Sequence, residues 1–125
     1  MPGLHDSDAP FDPESAYSGA IRESLTTWAE HVLQEMKPAA HHRYLIDKLE
    51  QVTDGTIDRL MVLMPPGSAK STYASMLFPP WWLARHPQSS IIAASHTADL
   101  AFSFGRRARD LVRDNPELGY RHPVR

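Results

Sequence analysis

Between Ser15 and Met36 the apolar residues Ile21, Leu25, Trp28, Val32 and Met36 recur every three or four positions. That spacing places them on one face of an amphipathic helix. Lys37-Pro38 ends it, because a proline disfavours the helical conformation of the residue before it. Trp28 falls on the apolar face, which predicts core packing. A second helix is predicted from His41 to Val52, with Leu45, Leu49 and Val52 on one side, and Asp54-Gly55 then signals a turn.

The period then changes. Residues 57–64, IDRLMVLM, end in continuously apolar positions and run into Pro65-Pro66-Gly67. A short apolar run closed by turn residues reads as a strand buried on both faces, as in a parallel sheet. Residues 90–95, SIIAAS, read the same way. Between the two runs a helix is predicted to start near Lys70 and to kink or stop at Pro79-Pro80. Trp81-Trp82-Leu83 resumes an apolar segment. The last helix is predicted from Ala98 to Asp114, with Leu100, Phe104, Ala108 and Leu111 on its apolar face. Arg106, Arg107, Arg109 and Arg113 surround that face, and Asn115-Pro116 closes the helix. The element order predicts an α/β fold, a parallel sheet flanked by helices and preceded by N-terminal helices. Residues 1–14, rich in Pro, Asp and Ser, are expected to form a flexible tail ahead of a single domain over 15–125.

Composition narrows the function. The chain has 125 residues and a formal net charge of −2, which argues against a wholesale polyanion binder. The C-terminal stretch is nonetheless locally basic, with arginines at 106, 107, 109, 113, 121 and 125. The absence of cysteine excludes a disulfide scaffold and any thiolate metal site. No apolar run reaches the ~20 residues needed to cross a bilayer, and the acidic, proline-containing start is unlike a signal peptide. An intracellular, membrane-free protein is expected. His41-His42 could suggest a metal, but neighbouring residues do not share a helix face and no third ligand is evident.

The residues with most chemistry are Pro66, Gly67, Ser68, Ala69, Lys70, Ser71 and Thr72. A phosphate-binding loop has the form G-x-x-x-x-G-K-[ST] between a strand and a helix. Aligned on Lys70-Ser71, the two glycine positions hold Met64 and Ala69, so the bare pattern fails and only the expected flanks support it. Physically such a loop needs inward backbone N–H groups capped by the positive end of a helix. Pro65 and Pro66 supply none, while Gly67 through Ser71 all retain theirs. Lys70 would reach the outer phosphates as the catalytic cation, and the Ser71 hydroxyl would ligate Mg²⁺. The simpler alternative is a Pro-Gly turn that happens to precede a lysine. Ser95-His96-Thr97, after the second run, either contacts ligand or caps the last helix.

Five stretches together resemble the N-terminal ATPase region of phage terminase large subunits, the motors that package DNA into proheads. They are His41-His42-Arg43 through Gly55-Thr56-Ile57-Asp58-Arg59-Leu60, then MPPGSAKSTYAS, FPPWWLARHP, IIAASHTADLA and FGRRARDLV. The resemblance covers residues 40–114, with its motifs in the family's order. It implies a P-loop NTPase with ATP and Mg²⁺ as cofactors, and Pro66 to Ser71 as the loop. It places the segment around His41 to Tyr44 beside the adenine. Viral DNA, the portal and the small terminase subunit are the implied partners, with self-association and a bacterial cytoplasmic setting. Family members often carry glycine before the lysine and sometimes an arginine within the loop; here Ala69 and Gly67-Ser68 stand there.

Catalysis in that class also needs a Walker B strand, apolar residues ending in a metal-binding Asp and followed by a water-activating Glu. After Ser95 the acids are Asp99, Asp110, Asp114 and Glu117, and none follows an apolar strand. The resemblance therefore implies a partial terminase that lacks the Walker B carboxylates and the nuclease domain, and is not catalytically competent alone. Two rival readings remain. One is a small non-catalytic interaction protein retaining a P-loop-like fold. The other is a different P-loop NTPase, such as a small kinase, which would need its own carboxylates and an acceptor site.

Overall fold

The computed structural model describes residues 10–34 and 36–119. Helix α1 spans Pro13–Glu23, with Asp12 capping it by accepting from the Glu14 N–H at 3.1 Å. Helix α2 spans Leu25–Leu33 and α3 spans Ala40–Thr53. The single helix expected up to Met36 is thus broken. Ser24 is extended, at φ −127° and ψ 119°, and its Oγ accepts from the Thr27 N–H at 3.2 Å to start α2 afresh. Serine competes with helical hydrogen bonding in this way, so it caps better than it continues. A carboxylate oxygen of Glu50 on α3 accepts from the Leu25 N–H at 2.9 Å. The break lets Ile21, Leu25 and Trp28 all bury, while Met36 is exposed. Of the tail expected over 1–14, residues 1–9 lie outside the described residues, and Pro13 and Glu14 belong to α1.

The chain is helical again from Lys70 to Arg85. Its middle, Thr72–Leu77, is a π-helical segment that runs into α4 at Phe78–Arg85. Pro79 and Pro80 do not stop the helix. They bring no N–H, and their rings would crowd the carbonyls four residues back in a regular α-helix. The backbone widens just before them, the Phe78 N–H bonding the Tyr73 carbonyl five residues back. Helix α5 spans Ala98–Asp114, as the apolar spacing predicts, and a 3₁₀ turn follows at Pro116–Leu118.

The core lies where α1, α2, α3 and the 70–85 helix meet. Trp28, Ile21 and Leu77 are fully buried there, with Trp81 and Tyr73 nearly so. A fully buried aliphatic side chain contributes about 1.5–3 kcal/mol of transfer free energy. Both buried indoles are satisfied. The Trp28 Nε1–H donates to the Leu77 carbonyl at 2.9 Å, and the Trp81 Nε1–H donates to the Ile21 carbonyl at 3.1 Å. Leu118 is fully buried, and His31 joins the C-terminal turn to α1 and α2. Asn115 donates through Nδ2 to the Leu111 carbonyl, leaving Oδ1 as the acceptor for His31 Nε2 at 3.1 Å; Tyr17 lies 2.9 Å from Nδ1.

The expected α/β fold is not found. Among the described residues there is no strand and no sheet, so the parallel sheet of a P-loop NTPase is absent. The two apolar runs are not helical either. Over 60–64, exposure alternates in the two-residue period of a strand: Val62 and Met64 pack against the core, while Met61 and Leu63 are 82% and 84% exposed. Residues 91–95 line an apolar cleft of about 490 Å³ with Phe78, Trp82 and Phe104, yet Ile92 is 94% exposed. No backbone hydrogen bond joins these two runs among the described residues. A strand exists only as one member of a hydrogen-bonded ladder, so strand-like sequence without a neighbour remains extended chain. No helix among the described residues is long and apolar enough to cross a membrane.

Candidate functional site

The loop before Lys70 is built by its own sequence. Pro65-Pro66-Gly67-Ser68 closes a turn in which the Ser68 N–H donates to the Pro65 carbonyl at 3.3 Å. Proline in the second place and glycine in the third is the type II pattern, which demands positive φ at the third residue; Gly67 has φ 80°. Ala69 is also left-handed, at φ 61°, although it carries a Cβ. For an L-residue that conformation costs roughly 1–2 kcal/mol. It lets the helix start at Lys70, where the Tyr73 N–H returns to the Ala69 carbonyl at 3.3 Å.

Several polar groups of this loop have no partner among the described residues. Among the described residues the backbone N–H groups of Ala69, Lys70, Ser71 and Thr72 donate to nothing, as expected of a helix's first turn. The Ser68 hydroxyl is buried and likewise unpaired. Lys70 is half-buried, and no carboxylate among the described residues pairs with it. Ser71 is exposed beside it and Thr72 half-buried. Alternating backbone hand followed by a helix start is one way in which backbone N–H groups can be gathered toward an anion, and Lys70 adds a positive charge beside them.

Helix α3 meets this loop through His42. Its Nε2 lies 2.8 Å from the Ser68 carbonyl oxygen, its Nδ1 lies 3.1 Å from the Ala39 nitrogen, and its ring stacks on Tyr73 at 4.5 Å. His41 and His42 do lie together, with ring centroids 3.9 Å apart, contrary to the expectation that neighbours on a helix diverge. Still, no group of three or more metal-ligating side chains occurs among the described residues. Tyr44 is 67% exposed, with the Lys48 ammonium 5.3 Å from its ring centre. The resemblance implied only that His41 to Tyr44 would lie beside the adenine. The hydrogen bond from His42 had no signal of its own, because it depends on how α3 docks.

The other candidates lie elsewhere. Thr97 caps α5, its hydroxyl accepting from the Leu100 N–H at 3.3 Å. On α5, Asp110 pairs with Arg109 and Arg113, and Asp114 pairs with Arg113. Glu117 faces His31 at 3.8 Å. Arg121 and Arg125 lie outside the described residues. Compared with known protein families, curated proteins and solved structures, the chain matches none.

Proposed function

We propose that residues 66–72 bind the phosphates of ATP with Mg²⁺, and that the chain is the ATP-binding region of a terminase-type DNA-packaging motor. The observation that carries the reading is the left-handed backbone at Gly67 and Ala69 directly before a helix that opens on Lys70. A non-glycine residue held in a costly conformation at the phosphate-facing end of a loop is the mark of a backbone shaped for a ligand. In this reading Lys70 contacts the outer phosphates, Ser71 ligates the metal, and the free N–H groups of Ala69 to Thr72 surround the β-phosphate. Arg106 and Arg107, which no carboxylate engages among the described residues, form the face toward viral DNA or a neighbouring subunit. The portal and the small terminase subunit are the motor's other partners, in the bacterial cytoplasm. With none of Asp99, Asp110, Asp114 and Glu117 following an apolar strand, binding proceeds without turnover at a motor's rate.

The proposal rests on the loop, since the described residues hold no sheet. The test is calorimetric titration with Mg·ATP and Mg·ADP: saturable binding that is lost in Lys70→Ala supports it, and wild-type protein that takes up neither nucleotide refutes it. A second reading is favoured by the exposed apolar side chains of Met61, Leu63 and Ile92, which suit a non-catalytic interaction protein. That protein would bind no nucleotide and would self-associate or capture a partner through those runs.

A further inference from the structure

We infer that His42 is a positioning residue for the loop, acting as a neutral, Nε2-protonated imidazole that locks the Ser68–Ala69 peptide. The inference rests on the phosphate-loop reading for its purpose, and on geometry for its mechanism. A backbone N–H can only donate, so the Ala39 N–H at 3.1 Å makes His42 Nδ1 the acceptor. The ring proton is therefore on Nε2, and Nε2–H donates to the Ser68 carbonyl at 2.8 Å. The same side chain thus caps the first turn of α3, where Ala39 has no side-chain oxygen to do so.

The consequence for the loop follows from peptide planarity. In a trans peptide the C=O of one residue and the N–H of the next point in opposite directions. Holding the Ser68 carbonyl toward α3 aims the Ala69 N–H away from α3. Rotation of that peptide would change φ at Ala69, the residue that stands left-handed at 61°. Stacking on Tyr73, which is 2% exposed, stops the imidazole from swinging away. His42 thus ties three things together: the start of α3, the strained loop, and the helix that follows it.

The experiment compares wild type, His42→Ala and His42→Gln as full chains. Three readouts are taken: the ¹⁵N shifts of His42, amide exchange at Ser68 and Tyr73, whose N–H groups bond the Pro65 and Ala69 carbonyls, and Mg·ADP affinity. The expected results are an Nε2-protonated neutral ring, exchange about tenfold faster in His42→Ala, and ADP affinity about tenfold weaker, the scale of one lost hydrogen bond. Glutamine keeps a donor at similar reach and should recover most of both losses. A ring protonated on Nδ1, or loop exchange unchanged in His42→Ala, overturns the assignment. If wild type binds no ADP while His42→Ala still accelerates loop exchange, the clamp stands and the ATP reading falls.

Discussion

Gly67 and Ala69 hold positive φ on either side of Ser68, at 80° and 61°. The first needs no explanation, since the Pro-Pro-Gly turn requires it. The second is a β-carbon placed where glycine is easier, and it gives opposite signs to two otherwise similar substitutions. Ala69→Gly should stabilise the fold by up to about 1 kcal/mol, because relief of left-handed strain exceeds the extra chain entropy. Gly67→Ala should destabilise by about 1 kcal/mol through backbone strain alone, since a Cβ there meets no atom within 4 Å. Urea unfolding of both variants measures this. A destabilising Ala69→Gly would show that Ala69 is not left-handed.

Trp28 reaches across the core to the Leu77 carbonyl, at the junction of the π-helical segment and α4. Trp28→Phe keeps an aromatic ring but deletes the indole's bond to that carbonyl and leaves part of the site empty. A loss of about 2–4 kcal/mol is expected, combining a lost buried hydrogen bond with lost packing. Thermal unfolding reads it out; a change under 0.5 kcal/mol would mean the indole is not anchored there.

Burial pushes the Tyr73 phenol above its ordinary value. The sign follows by linkage: the folded state holds this proton more tightly than the unfolded chain. The contribution is complete below the unfolded pKa and disappears as pH rises through the higher folded one. Stability should therefore fall on the alkaline side of the ordinary tyrosine range, and Tyr73→Phe should fall less steeply there. Denaturation midpoints across that range decide, and equal slopes would remove the assignment.

The extended runs carry Met61, Leu63 and Ile92 outward beside backbone groups that no sheet satisfies among the described residues. Such segments invite association. Light scattering should show concentration-dependent self-association, reduced in the double variant Met61→Lys, Ile92→Lys. A wild-type chain that stays monomeric at high concentration would contradict it.

These contrasts show what was legible in sequence. Helices α3 and α5 were readable because a three-to-four residue apolar period needs no distant partner to define it, and Trp28 fell on the buried face accordingly. The break at Ser24 was written in a capping side chain and hidden by an apolar period that runs straight through it. The π-helical segment answers Pro79-Pro80 in a way that depends on Trp81 and Leu77 being held in the core. The sheet failed for a different reason. Apolar runs at 60–64 and 91–94 specify an extended backbone, but pairing is a property of two segments, and the helical core docks these two apart from any ladder. In the site, Gly67 was legible from turn chemistry, Ala69 only as a departure from a motif, and His42 not at all.

The most direct test of the central claim is Mg·ATP binding by calorimetry, on wild type and Lys70→Ala matched for helicity and unfolding midpoint. Lys70 has no carboxylate partner among the described residues, so its removal should leave the fold intact. The account predicts saturable wild-type binding and at least a tenfold weaker constant in the variant, the scale of one charge-assisted phosphate contact. Equal affinity in the two proteins, or no binding by wild type, would contradict it.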